Sequence, residues 1–191
     1  MKMPPNAQRA SILALLAMFT AAFISGCESY QFGNPVELPF ESIYIKPATN
    51  DSFAPQVQAL LSAQIRDAFI RDGRTKLVTN RESADAVLLV NVIEYNRRAA
   101  ANRRVDTALA SSFNLTLVAN ISLFNQNEGG YYFQELKVRK SSSAYVENPY
   151  ATRGTGKTQN FLQSEYQAMP RLTRDLARRI ADEVLYPWEP R

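Results

Sequence analysis

The clearest pattern along the chain is strict alternation in "FNLTLVANISLFN". Leu115, Leu117, Ala119, Ile121 and Leu123 point one way, and Thr116, Val118, Asn120 and Ser122 the other, which is the period of a half-buried strand. "QNEGG" then reads as a turn, and "YYFQELKVRKSSSAYV" as the return strand of a hairpin, with Leu136 and Val138 inward. Upstream, "ESADAVLLVNVIEYN" is apolar on both faces as far as Ile93 and reads as a central strand. "SIYIKP" predicts a first strand with Ile43 and Ile45 on one face, and "TKLVTN" a short extended piece.

Two segments carry the helical period instead. In "ATNDSFAPQVQALLSAQIRDAFIRDGR", Val57, Leu60, Leu61, Ile65, Ala68 and Phe69 share a face. Asn50, Asp51 or Ser52 supplies a cap, Pro55 suits the first turn, and Gly73 stands where a left-handed C-terminal cap belongs. Near the end, Met169, Leu172, Leu176, Ile180 and Val184 recur at three- and four-residue steps, with Arg171, Arg174, Arg178, Asp182 and Glu183 on the wet face. Pro170 either starts this helix or kinks one that begins near Phe161. Two such helices need a sheet face to cover. The pattern therefore predicts an α/β (α+β) two-layer sandwich, two amphipathic helices packed on one face of a roughly four-stranded sheet.

The N-terminus has another character. Residues 1–9 carry Lys2 and Arg9, residues 10–24 are apolar apart from Ser11 and Thr20, and Ser25 and Gly26 follow. This is a secretory leader: a basic start, an apolar run shorter than the roughly 20 residues of a spanning helix, and small residues at the cut. Ile24-Ser25-Gly26-Cys27 resembles the bacterial lipobox, in which the cysteine is lipidated and becomes the first mature residue. Cys27 is the only cysteine in the 191 residues, so a lipidation role fits it better than a core thiol. Lipid chains add membrane affinity at about 0.8 kcal/mol per buried methylene. By analogy with enterobacterial sorting, where Asp at the second position retains lipoproteins in the inner membrane, Glu28 permits export to the outer membrane. The organisation expected is a signal peptide over 1–26, a lipidated tether over 27–41 and one α/β domain over 42–188.

Composition removes most chemistry. The chain has no histidine, hence no Ser-His-Asp triad and no Cys/His zinc site, and one cysteine permits no intramolecular disulfide. Asp51, Glu82, Asp85 and Glu94 show no spacing that argues for one acid–base site. No catalytic residue, metal or cofactor is expected, and the protein is read as not an enzyme. Two of the four net positive charges belong to the leader, which holds Lys2 and Arg9 and no acid, so the mature chain is a poor nucleic-acid candidate. "ATRGTGKT" ends like a phosphate-binding loop but has Ala151 where the motif needs glycine, and "YVENPY" before it makes a poor buried strand. It reads as a loop. Asn114-Leu115-Thr116 and Asn120-Ile121-Ser122 match the glycosylation pattern, yet both lie inside a strand.

Basic residues gather in two places. Arg97, Arg98, Arg103 and Arg104 of "NRRAAANRRV" are placed in a long connection between two strands, and Lys137, Arg139 and Lys140 on the return strand. Guanidinium forks without adjacent acids suit phosphate, so these seven residues are the candidate contacts for an anionic lipid or glycolipid head group.

Taken in order, the lipobox, "SYQFG", "LPFESIYIKPATNDSFAP", a helix ending "FIRDGRTKLV", "RESADAVLLVNVIEY" and "DLARRIADEVLYPW" resemble the lipopolysaccharide-assembly lipoproteins, the LptE family, from Cys27 to Trp188. The resemblance implies two helices on a sheet of about four strands and tethering to the inner leaflet of the outer membrane. It also implies partnership with an LptD-type β-barrel, which the lipoprotein plugs and helps to assemble, and contact with lipopolysaccharide. A regulatory lipoprotein docking on a cell-wall synthase is the other reading that this element order suits.

Overall fold

The computed structural model describes residues 38–102, 110–146 and 160–186. Cys27, Arg103, Arg104, the Ala151–Thr158 stretch and Trp188 lie outside them. The elements, in order, are β1 (Ser42–Ile45), β2 (Thr49–Asn50), α1 (Val57–Asp72), β3 (Lys76–Val78), a 3-10 turn (Arg81–Ser83), β4 (Ala86–Asn102), β5 (Ala110–Asn125), β6 (Gly130–Tyr145) and α2 (Phe161–Leu185). The sheet has six strands rather than about four, in the order β3-β1-β4-β5-β6, with β2 also paired to β4. β1 runs parallel to β3 and β4, and β4, β5 and β6 form an antiparallel meander.

The alternation of β5 is realised in full. Leu115, Leu117, Ala119, Ile121 and Leu123 are completely buried. Directly across on β4 stand Leu88, Val90 and Val92, opposite Leu123, Ile121 and Ala119. Ile43 and Ile45 continue the same row on β1, opposite Ala86 and Leu88. With Val57, Leu61, Ile65 and Phe69 of α1 and Met169, Leu172, Leu176, Ile180 and Val184 of α2, these side chains belong to one hydrophobic cluster. Phe40 is buried in it and Leu38 packs against it, so core packing begins ahead of β1.

One expectation changes and two are sharpened. The expected cap of α1 is absent: the helix starts after Gln56, whose φ is 56°, with no side-chain cap. Asn50 closes its own turn instead, accepting from Ser52 N (3.0 Å) and Ser52 Oγ (2.6 Å) and donating to Ala54 O (3.2 Å). Such local bonds compete with capping by the same side chain. Pro170 lies inside α2, which begins at Phe161 with Asn160 accepting from Leu162 N. Proline removes one helical N–H, and Gln64 Nε2 of α1 uses the Pro170 carbonyl at 3.0 Å. Leu136 is exposed, at 38%, while Val138 is buried at 3%. Leu136 still pairs with the buried Ile121, but among the described residues β6 is the edge strand and leaves it half-covered; beyond it a bulge, with Glu135 at a left-handed φ of 54°, brings Phe133 opposite Leu123. The expected C-cap does form, with Gly73 at φ 73° and its N–H on Phe69 O.

The chain's entry is tied down by Asp85. Its Oδ2 accepts from Ser42 Oγ (2.7 Å), Ser42 N (2.9 Å) and Glu41 N (3.2 Å), and its Oδ1 from Asn127 Nδ2 (3.3 Å). The Ser42 hydroxyl and amide, then Asn127, hold this carboxyl below its ordinary pKa. A lowered folded-state value contributes stability that is present above the unfolded pKa and is lost as pH falls through the folded one. Asp85→Asn is therefore expected to flatten the fall in stability below about pH 4, read from urea midpoints across pH.

Candidate functional site

Residues paired across neighbouring strands share a face, so the register assigns every basic candidate to a side. Arg98 pairs with Asn114, Lys137 with Asn120 and Arg139 with Val118. All three point away from the row of Leu115, Leu117 and Ala119, and all three are exposed. Lys137 and Arg139 are about 7 Å apart along β6. Arg98 stands opposite Asn114, four residues along β5 from the Val118 that faces Arg139, roughly 13 Å away along the strands. Among the described residues none of the three has an ion-pair partner. Around them stand the short polar side chains Asn96, Asn114, Thr116, Asn120, Ser122, Ser141 and Ser143, with Thr116 Oγ1 and Ser141 Oγ 2.8 Å apart, and also Val118 and the exposed carboxylate of Glu94, which pairs with Val118 across from Arg139.

Arg97 and Lys140 belong to the other side. They pair with Leu115 and Leu117. The long connection expected from Arg97 onwards is strand as far as Asn102. A bulge between Val92 and Glu94 shifts the register, which carries Tyr95 and Arg97 to the buried side. There Arg97 Nη1 lies 3.5 Å from Glu165 Oε1 of α2 and its guanidinium 5.3 Å from the Phe161 ring. Phe161 packs edge-on against Phe113 at 4.3 Å. Glu165 is 4% exposed and accepts the Tyr95 hydroxyl. Burial first, then the Glu165 carboxylate, pushes the Tyr95 phenol far above its ordinary pKa, so it stays a donor. A buried carboxylate needs such partners. Arg97 is thus occupied in holding α2 to β4, a role the sequence left unmarked because it depends on the bulge.

The seven candidates therefore separate: Arg98, Lys137 and Arg139 share the open polar face, Arg97 and Lys140 face the helix side, and Arg103 and Arg104 lie outside the described residues. Among the described residues no group of three or more acidic, histidine or cysteine side chains gathers to hold a metal, and no helix is long and apolar enough to cross a membrane.

The described residues form a two-helix α+β domain with one polar sheet face that carries Arg98, Lys137 and Arg139. The chain belongs to the lipopolysaccharide-assembly LptE family: the family profile matches residues 40–184, from the first buried aromatic to the last turn of α2. No curated protein matches the sequence. Among solved structures, a minor lipoprotein from Acinetobacter baumannii is 16% identical, over 78% of this chain and 94% of that one, with a TM-score of 0.46. Uncharacterized lipoprotein B from Nitrosomonas europaea is 17% identical, over 80% of this chain and 84% of that one, with a TM-score of 0.46. Neither likeness bears on function.

Proposed function

We propose that this protein is a non-catalytic lipoprotein of the outer membrane, lipidated at Cys27, that plugs an LptD-type β-barrel and assists lipopolysaccharide insertion. Family membership over residues 40–184 carries the reading. The surface chemistry supports it. The sheet face opposite the row from Leu115 to Leu123 is rich in Asn, Ser and Thr and carries Arg98, Lys137 and Arg139, beside Glu94, Val118 and Leu89. A barrel lumen is polar, and a large wet interface suits such a surface better than an apolar one. Arg98, Lys137 and Arg139 are the cations placed to meet lipid phosphates; Arg97 and Lys140 are not part of that set.

Replacing Arg98, Lys137 and Arg139 together by alanine is expected to weaken binding of purified lipopolysaccharide roughly tenfold at low ionic strength, since three exposed pairs contribute about 0.2–1 kcal/mol each. The loss should shrink in high salt. An equal loss at both salt levels, or none, would remove these residues from the site. Lys140→Ala serves as the control and should bind as the parent does.

A further inference from the structure

A cleft of about 250 Å³ opens on the polar face where the β1–β2 connection, β4, β5 and the β6 bulge meet. Leu89 and Pro47 form its apolar part, and Lys46, Asn120, Ser122 and Glu135 its polar part. None of the basic residues assigned to phosphate contact lines it.

Two features separate this cleft from ordinary surface relief. Glu135 holds a φ of 54° at a bulge position that glycine usually fills, and its N–H is fixed on Ser122 Oγ at 3.0 Å. The fold thus carries backbone strain while keeping a carboxylate at the cleft, and strain that persists in this way marks function. Asn120 Oδ1 is buried without a hydrogen-bond partner, so turning its amide towards the cleft sacrifices no bond from that oxygen. Among the described residues neither the Lys46 ammonium nor the Glu135 carboxylate has an ion-pair partner.

The chemistry selects the ligand class. A carboxylate repels phosphate and an ammonium repels a metal or amine, so the pair disfavours a simple ion of either sign. A donor, an acceptor and an amide that is both, beside an apolar patch, match hydroxyl groups around a ring with an apolar face. The volume is below the roughly 300 Å³ at which pockets begin to hold drug-sized ligands, so one ring is the size that fits. We infer that this cleft binds a single neutral sugar ring, held by Glu135, Lys46 and Asn120 and seated on Leu89 and Pro47. The inference deepens the lipopolysaccharide reading by adding a saccharide contact, but its test uses free sugars and can fail separately.

The test is ligand-observed saturation-transfer NMR on the full chain in detergent, with glucose, galactose and N-acetylglucosamine at millimolar concentration. Transfer to the ring protons of at least one sugar is expected, reduced several-fold in both Asn120→Leu and Glu135→Gly. Glu135→Gly relieves the left-handed backbone, so its Tm should equal or exceed that of the parent, which separates lost binding from lost fold. No transfer to any of the three sugars overturns the inference. So does equal transfer in both variants, a fall in Tm for Glu135→Gly, or stronger transfer to phosphoethanolamine than to every sugar, which would make the cleft a zwitterion site. Unchanged lipopolysaccharide binding by the Arg98/Lys137/Arg139 variant would leave this result untouched.

Discussion

Leu117→Asp is expected to unfold the domain, whereas Thr116→Asp, one residue away, should cost about 1–2 kcal/mol. Leu117 is completely buried at the middle of β5, between Tyr95 of β4 and Lys140 of β6. A carboxylate there loses the apolar packing of leucine and leaves water with no dedicated partner, a cost of several kcal/mol. Total stabilities run at about 5–15 kcal/mol, so the substitution removes most or all of it. Thr116 faces the other way and gives up one side-chain hydrogen bond, to Ser141, along with some strand propensity. Circular dichroism and urea titration read both. Similar losses in the two variants would mean that β5 does not have a buried and an open face.

Cys27→Ser should release the protein from membranes in cells lacking the barrel partner. Several acyl chains, at about 0.8 kcal/mol per buried methylene, anchor stably where one chain does not. No described helix offers a substitute span. Fractionation with immunoblotting is the readout, and the serine variant is expected in the soluble fraction while the parent sediments. If the variant still sediments without any partner, the lipid at Cys27 is not what holds the protein there.

Much of the fold is legible in the sequence because its strongest periods are simple. The five alternating residues of β5 and the α2 stripe from Met169 to Val184 need only local burial, and both are placed as their spacing predicts. What the sequence hides depends on pairing between distant segments. β2 is two residues long and is a strand only because Asn91 and Val92 stand beside it. β4 continues past Ile93 through polar residues because β5 supplies partners as far as Asn102. One extra residue at the Val92–Glu94 bulge then reverses the side on which Glu94 to Ala99 fall, and the register shifts again beyond Ala99. The candidate site inherits this. Counting arginines finds Arg97 and Arg98 together, but the register puts one against Glu165 and the other on the open face. The Glu135 bulge likewise brings Phe133, rather than Gln134, opposite Leu123, and no local pattern in "YYFQELKV" announces it.

The central claim is that the partner is an outer-membrane barrel. The most direct measurement is affinity purification of the C-terminally tagged full chain from solubilised envelopes, with mass spectrometry of the bound proteins. The account predicts a near-stoichiometric LptD-type β-barrel; recovery of a cell-wall synthase with no barrel would contradict it.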